Sequence, residues 1–221
     1  MSMEVIEFDK YREIGRDVSE IKREHAADLN RGQLEFLEIK ARRAETLQKI
    51  ENVRGERFAV ANDNGVAPGV AGFVTRAGIK PHFVESFLDH PDALKIASHE
   101  VGHVDDFRRG VEEISMKKNL EDEEFSILSD FMEEHGFDLE NINLLEGFNE
   151  LDGIKNRGVI EGCAYNKLEV PAAKLLEDTC RRDTGRSLRE AYKSGNMDLF
   201  YELVKSLCAI INVRKEFKMA A

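Results

Sequence analysis

Residues 96–107 read Ile-Ala-Ser-His-Glu-Val-Gly-His-Val-Asp-Asp-Phe, and within them His99, Glu100 and His103 spell His-Glu-x-x-His. On a helix, residues four apart share a face, so His99 and His103 can offer two imidazole nitrogens to one ion. Glu100, beside the first ligand, is placed to act on a water held by that ion without binding the ion itself. One zinc ion, Zn2+, suits such a site. Zinc takes imidazole readily, and its catalytic sites keep the fourth position open. Ile96 and Ala97 before the motif, with Val101, Val104 and Phe107 after it, predict the half-buried helix that the chemistry needs. Gly102 lowers the stability of that helix by roughly 1 kcal/mol relative to Ala, while admitting a close backbone neighbour.

A third protein ligand is required. The metzincin pattern would put Gly and His three and six residues after His103, where Asp106 and Arg109 stand, and no Gly-Thr-x-x-Asp arrangement is present. A later glutamate remains: Glu146, Glu150, Glu161 or Glu169. Glu161 fits best, because Val159, Ile160, Ala164 and Leu168 put it on an apolar face, where a carboxylate is costly unless it meets a cation. Glu146 and Glu150 belong to an acidic, solvated segment, and Glu169 sits at the bend before Pro171. The other three stay open beside it. Asp106, one turn after His103, reads either as a group orienting a ligand imidazole or as a surface aspartate.

These residues need elements to position them. Residues 3–53 predict two helices: Tyr11, Ile14, Val18, Ile21, His25 and Leu29 form one apolar stripe, and Leu34, Leu37, Ala41, Ala44 and Leu47 another. Asn30-Arg31-Gly32 breaks them into an antiparallel hairpin that packs on the core or on a partner, with His25 as a packed structural residue. Short strands are predicted at 58–61, 70–75 and 79–84, with Asn62-Asp63-Asn64-Gly65 as a turn. An edge strand of such a sheet can hold a peptide by backbone pairing. His90 falls in the Asp-His-Pro-Asp turn that starts the motif helix, and His135 before Gly136 at a helix end; both read as local structure. Downstream helices are predicted over 120–135, 142–151, 158–168, 171–179, 188–192 and 199–211.

Composition bounds the reading. The chain of 221 residues carries 43 acidic against 32 basic residues, a net charge of −11. Two lysines against thirteen carboxylates between Val111 and Glu150 account for all of it. No basic face for nucleic acid is present. The acidic run is a solvated helix face, or it steers a basic peptide to the neighbouring site. No apolar run approaches the roughly 20 residues needed to cross a bilayer, and the first thirty residues hold no signal-like apolar stretch. Cys163, Cys180 and Cys208 are odd in number and far apart, which fits a reducing, cytoplasmic compartment. Export without a cleavable signal would leave the same trace.

The run Ile160-Glu161-Gly162-Cys163-Ala164-Tyr165, taken with His99-Glu100-Val101-Gly102-His103, resembles the glutamate zincins (gluzincins). In these metallopeptidases an Asn-Glu-Gly-x-Ala-x-Tyr-like helix commonly carries the third ligand; here Tyr stands one place early. The motif helix with Asp105-Asp106 is also similar to that of anthrax lethal-factor-type peptidases, where the acidic pair comes one residue later. The resemblance covers residues 90–205 and implies His99, His103 and Glu161 as zinc ligands, Glu100 as general base and acid, and Tyr165 as an oxyanion donor, a role Tyr192 or a strand N–H could equally fill. The expected fold is α+β and mostly helical, a zincin-like core with a small sheet before the motif helix. The expected domains are an N-terminal hairpin (1–55), serving as a packing, docking or dimerisation arm, and a catalytic domain (56–221). The expected function is zinc-dependent hydrolysis of peptide bonds by a Glu-activated, zinc-bound water. An idle zincin-like binding module, or a hydrolase of a non-peptide amide or ester, are the competing readings.

Overall fold

A computed structural model describes residues 5–6, scattered positions between 13 and 23, and residues 30–157 and 167–220 apart from 68, 76 and 77. The chain forms two compact units, residues 1–104 and 105–221.

In the first unit, helix α1 (Arg31–Arg54) begins where the sequence breaks. The Asn30 side chain accepts from the Gln33 N–H at 3.0 Å and the Gln33 side chain accepts from the Asn30 N–H at 2.9 Å, a reciprocal cap of two otherwise unpaired donors. Its stripe buries Ala44, Leu47 and Ile50. This helix packs on the core: Arg43 and Arg42 reach Asp89 at 2.7 and 2.8 Å, and Lys40 pairs with Glu85, all on the 3-10 turn Glu85–Asp89. The first stripe of the expected hairpin, with His25, lies largely outside the described residues.

The sheet has four short strands, β1 (Val5–Ile6), β2 (Ala59–Ala61), β3 (Gly72–Thr75) and β4 (Lys80–Val84), in the order β1-β2-β4-β3. β2 and β4 run parallel, while β1 pairs with β2 and β3 with β4 antiparallel. The last three strands fall where alternation and the Asn-rich turn predicted them. β1 corrects the reading of residues 3–53 as helix alone: the β-branched pair Val5-Ile6 is taken up by the open edge of β2. Phe58 and Phe83 meet edge to face at 6.1 Å in the core behind the sheet. Helix α2 (Ala93–Arg108) follows and carries the motif. Its start is organised by His90, whose Nδ1 accepts from the Asp92 N–H at 3.1 Å.

The second unit is helical: α3 (Met116–Asn119), α4 (Asp122–Glu134), α5 (Leu144–Arg157), α6 (Glu169–Thr184), α7 (Leu188–Lys193) and α8 (Met197–Ala220). Leu128, Met132, Phe148, Leu176, Phe200 and Leu207 form the fully buried centre of its core, with Phe148 and Phe200 edge to face at 5.3 Å. Gly147 lets α5 and α6 touch; a Cβ there would lie 2.9 Å from the Glu169 carbonyl carbon and 3.0 Å from Ala173 Cβ. His135 ends α4, donating from Nδ1 to the Phe131 carbonyl at 2.8 Å ahead of left-handed Gly136. The protein is thus α+β and mostly helical, with its small sheet directly before the motif helix. No described helix is long and apolar enough to cross a membrane.

Candidate active site

Helix α2 does what the spacing of its histidines requires. His99 and His103 are both buried, their rings perpendicular with centroids 4.8 Å apart, and their Nε2 atoms are separated by 3.2 Å. Two nitrogens bound to a tetrahedral zinc at about 2.0–2.1 Å lie about 3.3–3.4 Å apart. The imidazole pair therefore fits a zinc ion in both chemistry and spacing.

Glu100 is buried as well. Strand β3 lies against it: a Cβ built on Gly72 would stand 2.8 Å from Glu100 Cγ and 2.9 Å from its Oε1. Glycine at 72 is what allows a strand to run this close to the carboxylate. β3 is the last strand in the sheet order, so the general-base candidate sits beside an edge strand, the kind of element that can hold an extended chain.

On the opposite face of the sheet, His82 stacks on Phe73 at 4.7 Å and donates from Nδ1 to the Lys80 carbonyl at 3.0 Å, which is a structural arrangement.

Further along α2, Asp106 is wholly buried, so its reading as a surface aspartate is overturned. The Tyr192 hydroxyl donates to both of its oxygens at 2.7 Å, and Arg109 Nη2 donates to Oδ1 at 2.6 Å. The Arg109 guanidinium also lies 5.8 Å from the centre of the Tyr192 ring. The Tyr192 proton is thereby committed to a carboxylate, which removes Tyr192 as an oxyanion donor. Arg109, noted in the sequence only for not being histidine, is part of this network.

The glutamates considered as third ligands separate by burial. Glu150 is fully buried and Glu146 half-buried, both on α5, which corrects their reading as solvated. Their helix continues the acidic run in charge but not in pattern, since Leu144, Leu145 and Phe148 turn it into the core. That apolar seam was the available signal. Glu169 opens α6. Glu161 and Tyr165 lie outside the described residues.

No protein-family model, curated protein or solved structure matches the chain.

Proposed function

We propose that this chain is a zinc-dependent peptidase with a zincin-like core, in which His99 and His103 hold the ion and Glu100 is the general base. The observation that carries the reading is the buried pair of Nε2 atoms 3.2 Å apart, with the next residue, Glu100, against the edge strand β3. Bound zinc supplies Lewis acidity towards a carbonyl oxygen and makes water a stronger acid. Glu100 takes the proton of the attacking water on a carboxylate oxygen and delivers it to the leaving amine. The N–H and C=O groups of β3 align an extended peptide beside that carboxylate. Tyr165 is the proposed donor to the developing oxyanion.

For the third ligand the reading keeps two glutamates. The resemblance in residues 160–165 implies Glu161, and Glu146, half-buried on α5, is the alternative. The exposed carboxylates of residues 112–134 favour a peptide with basic residues. Cys180 and Cys208 are free thiols, which supports a reducing compartment.

The test combines metal analysis of the purified chain with a proteome-wide cleavage screen. The expected result is one zinc per chain and cleavage at sites enriched in Lys or Arg, with Glu100→Gln retaining zinc and losing cleavage. Cleavage by Glu100→Gln would remove its assignment, and zinc without cleavage of any protein would favour a binding module or a non-peptide hydrolase. Loss of zinc from Glu146→Ala but not Glu161→Ala selects the first glutamate, and the reverse selects the second.

A further inference from the structure

A carboxylate buried as completely as Asp106 needs partners, and this one has been given strong ones. Tyr192 donates to both of its oxygens, and Arg109 adds a charged hydrogen bond at 2.6 Å. Tyr192 is itself buried and wedged against Phe148 at 5.6 Å, so its hydroxyl is held in place by the helical core. Arg109 is held in turn, lying over the Tyr192 ring. The result is a fixed hydrogen-bond acceptor at the C-terminal turn of α2.

The position of that acceptor on the helix gives it a use. His99, His103 and Asp106 follow steps of four and three and share one face of α2. An imidazole that binds a metal through one nitrogen donates from the other, and a carboxylate acceptor fixes the ring and raises its basicity. Stability alone is a weak reason to bury a carboxylate with a tyrosine and an arginine donor in a helical core, since well-packed apolar residues of similar volume often serve as well.

We infer that Tyr192 and Arg109 are positioning residues for the metal centre, acting through Asp106 to fix the turn of α2 that follows His103. The inference rests on the proposed zinc site and deepens it. It assigns to α7 and to the end of α2 a role in metal affinity beyond the His-Glu-x-x-His residues and the third ligand.

The experiment compares zinc affinity, by competition with a chromogenic chelator, in the full-length wild type, Tyr192→Phe, Arg109→Gln and Ser187→Ala. Tyr192→Phe keeps the ring against Phe148 and deletes only the donor. Ser187→Ala is a control for general loosening of the same unit, because it removes a buried hydrogen bond of 2.7 Å to Glu177 at the start of α7. The expected result is zinc affinity lowered about 10-fold or more in Tyr192→Phe and Arg109→Gln, and unchanged in Ser187→Ala. Should Tyr192→Phe bind zinc as tightly as wild type, or should Ser187→Ala weaken it equally, the positioning role is wrong while the zinc site stands. A wild-type chain that binds no zinc overturns both.

Discussion

Gly72→Ala separates the role proposed for Glu100 from the proposed metal site. Ordinary carbon–carbon contact is about 3.5–4.0 Å, and a Cβ at position 72 would sit 2.8 Å from Glu100 Cγ. The overlap is therefore roughly 0.7 Å or more. Gly72 has no left-handed backbone angle, so alanine is conformationally acceptable there and the clash is the whole perturbation. A glutamate side chain yields more easily than a strand, so Glu100 rotates away. That adjustment costs about 1–2 kcal/mol of stability, in the lower part of the range for overpacking. The chemical cost is larger, because a catalytic group misplaced by about 1 Å loses about 100-fold in rate, or roughly 2.7 kcal/mol of transition-state stabilisation. The expected outcome is kcat/KM down about 100-fold on a peptide from the cleavage screen, with zinc content unchanged and the urea midpoint only slightly lower. Activity within about threefold of wild type would refute the placement of β3 against the working carboxylate. Zinc loss in proportion to activity would show that the strand supports the metal instead.

Gly147→Ala should be far more damaging to the fold, because its methyl group meets the backbone of Glu169, which has no rotamer to change; about 3 kcal/mol or more is expected in urea unfolding, and a loss under about 1 kcal/mol would contradict the close packing of α5 on α6. Burial alone would raise the Asp89 pKa, but hydrogen bonds and charge from Arg43 and Arg42 outweigh it and hold it below its ordinary 3.8. With the folded value depressed, the ionised group stabilises the fold above pH 3.8 and that contribution is lost as pH falls through the lower folded value. Asp89→Asn should therefore unfold at lower urea than wild type at pH 7, with the gap closing in acid; a gap that stays constant to the acid transition would sink the argument. Burial pushes the Cys208 thiol up to about 12 and raises that of Cys180. Neither should take up iodoacetamide at pH 8 in the native chain, as read by peptide mass mapping, and both should react in urea; rapid native labelling would contradict their burial.

Much of this arrangement was legible in the residues. The strands at 59–61, 72–75 and 80–84 announced themselves because β-branched and aromatic residues there are bounded by Asn, Gly and Pro, and the helices because their apolar steps persist over several turns. Val5-Ile6 did not, since two residues make no period and their pairing depends on an edge 50 residues away. Charge misled where it was read without pattern: Glu150 looked solvated by its acidic neighbours, yet Leu144, Leu145 and Phe148 carry its helix inward. Asp106 was ambiguous for a related reason. A carboxylate's burial is decided by donors far along the chain, here Tyr192, that no local window contains. The placement of His99, Glu100 and His103 on one helix was legible because their spacing lies within about one turn.

The place of β3 at the end of the sheet order has a consequence for the protein in bulk. An edge strand can pair with a neighbouring copy as well as with a peptide, and exposed edges are where sheets grow into aggregates. β3 limits that hazard by its brevity: Gly72–Thr75 is only four residues, an edge of about 13 Å. Pairing of that length is marginal on its own. Resistance to edge-to-edge growth thus follows from the shortness of the strand, and under the proposed function so does a need for anchoring contacts on a peptide beyond it.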